Sequence, residues 1–233
     1  MKTNIITYDI MSDQADKLKT AAKIACSFWN RFIMPGQSVV VKLGVFTSAG
    51  FVIARAYHPY SDGNTIYGVV EFNTEYLDLF NQYEIASTVI HEIGHTLGIG
   101  WATWYGLFDH DTGAFFPEQI EILSDLQYMF VETDFGPGTQ YLHWDEGRFD
   151  RELMTGIKND SEYVLPVTIR VMALLSHTIV EELEAKTDLK LLLCHAESVL
   201  FSRAGDVEVL DKSHFVETEI AEEIYYRQRE RGR

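Results

Sequence analysis

Cysteine is nearly absent: Cys26 and Cys194 are the only two in 233 residues. A disulfide framework is thereby excluded, and one bridge is the most the chain can form. Basic residues are also scarce, with 19 Lys and Arg against 35 Asp and Glu, a net charge of −16. That balance argues against a nucleic-acid groove or an anionic membrane surface as the main partner. The opening "MKTNIITYDIMSDQADKLKT" lacks the apolar centre of a signal peptide, and no apolar run reaches membrane-spanning length. The expectation is a soluble, unsecreted protein, cytoplasmic by default or released by a non-classical route. Repeats and low-complexity tracts are missing as well.

What the chain does have is apolar material, 46% hydrophobic and 13% aromatic, enough for one sizeable packed domain with at most a small appendage. "NIITYDI" reads as a strand. Ser12 is placed to cap a helix whose apolar positions Leu18, Ala22, Ala25, Phe28, Trp29 and Phe32 recur at helical spacing until Pro35-Gly36. "SVVVKLGVF", "GFVIARAY" and "TIYGVVEFN" read as three further strands, the last two joined by the turn-forming "PYSDGN". Asn81, with Glu84 three residues on, has the spacing of a capping box and opens a helix that Gly98 is placed to end. Beyond it the pattern is irregular, with a short helical candidate "PEQIEILSDLQ", a glycine-rich loop "FGPGTQ" and a helix over roughly 166–185. The remainder reads as strands, among them "LKLLLC" and the flanks of "RAGD", followed by a charged terminal helix.

Within the capped helix stands "HEIGHTLGIGW". Residues four apart share a helix face, so His91 and His95 can bring two imidazoles to one ion, with Glu92 about 100° round the axis. A catalytic zinc needs three protein ligands and an open position. Trp101 cannot be the third, because an indole N–H only donates. His110 in "FDHDTG", Glu121 in "EILSD" and His143 in "HWDEGRFDRELMTG" remain as candidates. Glu121 has in its favour a likeness to the downstream Glu-x-x-Ser-Asp of thermolysin-like enzymes. His143 has in its favour a methionine, Met154, in a tight-turn context downstream.

Taken together, the interrupted helix motif and "ELMTG" resemble the metzincin clan of zinc peptidases, in its leishmanolysin-like branch of bacterial or phage type. In that branch an insertion separates the glycine of the helix motif from the third histidine. The resemblance covers roughly residues 1–185 and is supported by "GPGTQYLHW" and "GVVEFN". It implies an α+β fold: a twisted mixed sheet with a backing helix and the active-site helix in an N-terminal lobe (about 1–100), and a smaller, mainly helical C-terminal lobe (about 101–185). It implies a zinc endopeptidase in which His91, His95 and His143 bind the metal, Glu92 serves as general base, Gly98 turns the chain beneath the zinc and Met154 forms an apolar floor. Protein or peptide would be the substrate, held along "FVIARAY" as an added strand. The rival readings are a thermolysin-like enzyme using Glu121 and a catalytically silent binding or virion protein of the same fold.

Two oxygen-rich loops, "SDGN" at 61–64 and "DHD" at 109–111, have the composition of calcium loops and equally of solvated turns. The chain lacks the disulfides and recognisable propeptide of eukaryotic relatives. Residues 186–233 lie outside the resemblance and offer packing, oligomer contact or restraint of activity, the last through Cys194, whose thiolate could fill an open zinc position.

Overall fold

Alternating and continuous apolar runs build one mixed sheet. The computed structural model describes residues 4–11, 13–122, 129–196 and 220–224. In chain order it has β1 (Ile6–Ile10), a 3-10 stretch (Asp13–Leu18), α1 (Lys19–Phe32), β2 (Ile33–Met34), β3 (Ser38–Phe46), β4 (Val52–Tyr57), β5 (Tyr60–Ser61), β6 (Thr65–Asn73), α2 (Thr74–Leu77) and α3 (Gln82–Thr96). There follow α4 (Ala102–Tyr105), α5 (Pro117–Ile122), α6 (Glu146–Phe149), β7 (Tyr163–Val164), α7 (Pro166–Leu174), β8 (Thr178–Ile179), β9 (Thr187–Asp188), α8 (Leu189–Ala196) and β10 (Ile220–Ile224). The fold is α+β, as expected.

The sheet order is β1-β3-β6-β4-β10, with β5 also paired to β6. β1, β3 and β6 run parallel, whereas β4 is antiparallel to β6 and β10 antiparallel to β4. α1 and α3 pack on each other and on the sheet. Their contact is cemented by Trp29, fully buried, whose indole N–H donates to the Ile90 carbonyl at 2.9 Å. A buried indole needs such a partner, because an unmade hydrogen bond there costs about 1–3 kcal/mol.

Residues 101–185 differ from the mainly helical lobe the resemblance implies. Their described helices are short, and the rest is irregular chain tied by single bridges that link Val131 to Trp144, Trp144 to Thr155 and Glu152 to Tyr163. Trp104, Phe108, Phe115 and Trp144 supply the core there, with ring centroids 4.9–6.2 Å apart. α7 stops at Leu174 and not near 185: Ser176 adopts φ 70°, and Ile179 in β8 pairs with Ile33 in β2. The same pairing ends α1 at Phe32 instead of running on to Pro35.

Two further expectations are corrected beyond residue 186. "LKLLLC" is helical, in α8, and not a strand. Asp188 accepts from the Lys190 amide at 2.8 Å, as an N-cap residue does, and Leu189, Leu192 and Leu193 are buried at helical spacing while Leu191 is exposed. β10 falls where the charged terminal helix was expected, because a free sheet edge pairs it and residue spacing cannot register that partner. Ser12, "RAGD" and residues 225–233 lie outside the described residues, as does the end of "PEQIEILSDLQ".

Candidate metal centre

α3 is fixed at both ends by its own sequence. The Asn81 side chain accepts from the Tyr83 and Glu84 amides at 2.9 and 3.0 Å, and Glu84 accepts from the Asn81 amide at 3.0 Å, completing the capping box. At the other end Leu97 caps the helix and Gly98 follows with φ +119°, a conformation that favours glycine. The turn brings the Ile99 carbonyl back to His95 Nδ1 at 3.0 Å. Between the caps His91, Glu92 and His95 are fully buried.

His143 joins them from the irregular lobe. The Nε2 atoms of His91, His95 and His143 form a triangle with sides of 3.1, 3.2 and 3.2 Å. Each ring is aimed by a backbone carbonyl at Nδ1: Leu153 O at 2.8 Å for His91, Ile99 O at 3.0 Å for His95 and Thr139 O at 3.0 Å for His143. A carbonyl only accepts, so every Nδ1 carries its proton and every Nε2 presents a lone pair. Three lone pairs that face one another repel unless a cation sits among them. Nitrogens at the vertices of a zinc tetrahedron, with bonds of about 2.0–2.1 Å, stand about 3.3 Å apart, so the observed triangle fits such an ion. Among the described residues this is the one group of three or more His, Cys, Asp or Glu able to hold a metal ion.

No protein-family model matches the sequence, and no curated protein matches it. The chemistry of the site therefore rests on its own geometry.

Burial keeps the three imidazoles neutral. Desolvation holds His91 and His95 well below 6.5, with the neighbouring imidazoles adding to it, and lowers His143 to about 4. A histidine depressed in the folded state is more readily protonated when unfolded, so its contribution to stability is present above about 6.5 and is lost as pH falls through the folded value. The metal-free protein is expected to lose stability from about pH 6.5 down to about 4, with the metal-loaded protein resisting further into that range. Urea midpoints measured in chelator and in zinc between pH 7.5 and 4.5 check this. Parallel curves would contradict it.

Met154 packs against α3 at Gly94. It is fully buried, and a β-carbon added at Gly94, between the two helix histidines, would come within 2.7 Å of its sulfur and 2.9 Å of its methyl group. Glycine at 94 is thus what lets the thioether approach the helix. Gly94→Ala gains about 0.5–1 kcal/mol in helix propensity and costs about 1–3 kcal/mol in overpacking, so net destabilisation is expected together with weaker metal binding as Met154 is displaced. Denaturation and a zinc titration of the variant measure both.

The turn that carries Met154 is held by Glu152, a residue that no motif singles out. Its buried carboxylate accepts from the Met154 amide at 2.7 Å, the Leu165 amide at 3.1 Å and the Thr168 hydroxyl at 2.6 Å, and Thr168 in turn accepts from the Trp144 indole at 3.0 Å. Burial pushes this acid up to about 7, against the pull of those donors. Glu152 therefore anchors both Met154 and, through Leu153, the carbonyl that aims His91. No local pattern points to it, since two of its three donors, Leu165 and Thr168, come from the start of α7.

The other candidates fall elsewhere. Trp101 donates to the His95 carbonyl at 2.6 Å, and the His58 ring packs edge-on against it with centroids 5.1 Å apart, which brings the end of β4 beside the histidines. His110 is exposed, bonded to Tyr105 O and stacked on Tyr141. Glu121 belongs to α5, but its side chain lies outside the described residues, as does that of Cys194. Asp62 and Asp109 spend their carboxylates on their own turns, accepting from Asn64 and Thr65 and from Asp111 and Thr112. Neither belongs to the metal-holding group. Cys26 is buried, and burial drives its thiol far upward.

Proposed function

We propose that this chain is a zinc-dependent endopeptidase of the metzincin type, leishmanolysin-like branch. The observation that carries the reading is the triangle of three Nε2 lone pairs, each aimed by a backbone carbonyl, with a glutamate next to the first histidine in "HEIGH". Three neutral imidazoles at His91, His95 and His143 would leave a bound divalent ion its full double charge. A zinc ion held there would polarise a peptide carbonyl and acidify water. Glu92 takes the proton of the attacking water at its carboxylate and delivers it to the leaving amine. Met154, packed against Gly94, closes the floor with apolar surface and Glu152 holds it there.

Within this reading His143 and not Glu121 is the third ligand, because its Nε2 already stands 3.2 Å from both other nitrogens. The substrate class is protein or extended peptide, and the strongly acidic balance leaves nucleic acid without an electrostatic basis. No helix among the described residues is long and apolar enough to cross a membrane. The test is cleavage of casein and of a peptide library by zinc-loaded protein, with and without chelator. Chelator-sensitive cleavage is the expected result. A protein that binds one zinc per chain and cleaves nothing sinks the enzymatic reading in favour of a silent relative of the fold.

A further inference from the structure

β4 would be the edge of the sheet but for β10. It runs antiparallel to β6 on one side, and on the other it pairs antiparallel with β10, Ile220 opposite Tyr57, Ala221 opposite Ala56, Glu222 opposite Arg55 and Glu223 opposite Ala54. The next residue after β4 and Pro59's neighbour, His58, packs on Trp101, whose indole is bonded to the carbonyl of His95. Through His58 and Trp101, whose ring centroid stands 6.3 Å from that of His95, the end of β4 lies near the histidine cluster, and β10 begins opposite that end, at Ile220. An unpaired edge strand is a template for any extended chain, because its N–H and C=O groups point outward in register.

We infer that β10 is an internal occupant of the peptide-binding edge: it takes the place on β4 that an extended substrate must take, and cleavage requires its displacement. The inference rests on the peptidase reading for the meaning of that place. β10 suits a displaceable role. It is the outermost strand of the sheet, five residues long, and its pairing is interrupted by a register shift between Glu223 and Ile224. Among the described residues its pairing partner in the sheet is β4 alone, so its release leaves the order β1-β3-β6-β4 intact. The occupant is a segment of this same chain, which makes the restraint intramolecular and independent of protein concentration.

The experiment uses the full chain and its Ala221→Pro/Glu222→Pro variant. In an antiparallel pair successive residues alternate between bonded and non-bonded positions, so one of these two neighbours turns its N–H to β4, and proline at both removes that bond whichever it is. The probe is a fluorescent synthetic peptide with the sequence of residues 218–226, "TEIAEEIYY", measured by anisotropy on zinc-loaded protein, together with hydrogen exchange of residues 52–57 and KM for peptide cleavage. If β10 fills the edge in about nine of ten parent molecules, the variant binds the probe about tenfold more tightly, exchanges faster over β4 when no probe is present, and shows a KM lower by a similar factor with kcat retained. Equal probe affinity in parent and variant overturns the inference, as does failure of both to bind. A difference in probe affinity and exchange without cleavage by either protein upholds the occupied edge and removes the peptidase reading. Cleavage by both with the same KM and the same probe affinity does the reverse.

Discussion

His143→Ala is expected to lower zinc affinity by more than about 100-fold. Loss of a single outer partner of a metal ligand already costs about 10- to 100-fold, and this substitution removes a ligand itself, leaving two Nε2 atoms 3.1 Å apart to hold the ion alone. It also removes one of the two donors to the buried Thr139 carbonyl, which keeps the Leu142 amide at 3.2 Å, so the metal-free variant loses about 0.5–1.5 kcal/mol of stability as well. The two effects separate cleanly. In the parent, zinc at about 1,000 times its Kd raises stability by about 4 kcal/mol, visible as a higher Tm, and in the variant the same zinc raises it by at most about 1.4 kcal/mol. Competition with a chromophoric chelator gives the affinity directly. Zinc binding unaffected in His143→Ala, with loss in Glu121→Ala, would transfer the third position to Glu121 and overturn the metzincin-type reading.

Glu92→Gln is expected to keep zinc and lose turnover, with kcat down by about 10²- to 10⁴-fold and KM little changed. The amide preserves the shape of a fully buried side chain and removes the basic oxygen that takes the proton, so packing and proton transfer are separated by one atom. Zinc content and Tm report the first, and peptide cleavage reports the second. Cleavage at the parent rate would eliminate Glu92 as the base.

How far the sequence reaches can be judged from particular elements. β3 and β6 coincide with "SVVVKLGVF" and "TIYGVVEFN", and the capping box at Asn81 starts α3 where its spacing says it must. These are signals written in neighbouring residues, apolar alternation and a cap three positions away, and they survive folding because the core needs the same faces buried. α8 and β10 went the other way. "LKLLLC" has equal claim to strand or helix by composition, and the cap at Asp188 and the faces presented to α1 decide for helix. Ile220 to Ile224 has helical spacing, but the edge of β4 makes it a strand.

The site divides in the same manner. By itself the sequence determined that His91, Glu92 and His95 lie on one capped helix ended by Gly98, because four-residue spacing, a cap and a glycine act within a few residues. The resemblance had named His143 and Met154, but only the tertiary structure decided that the His143 Nε2 closes the triangle against the rival Glu121, that carbonyls of Leu153, Ile99 and Thr139 set all three tautomers, that Met154 fits against Gly94, and that Glu152 holds the turn of Met154. The contacts of His91 with Leu153 and of both helix histidines with His143 join segments 48–62 residues apart, and their geometry is fixed by how the irregular lobe packs around Trp144, a cooperative outcome that no local pattern encodes.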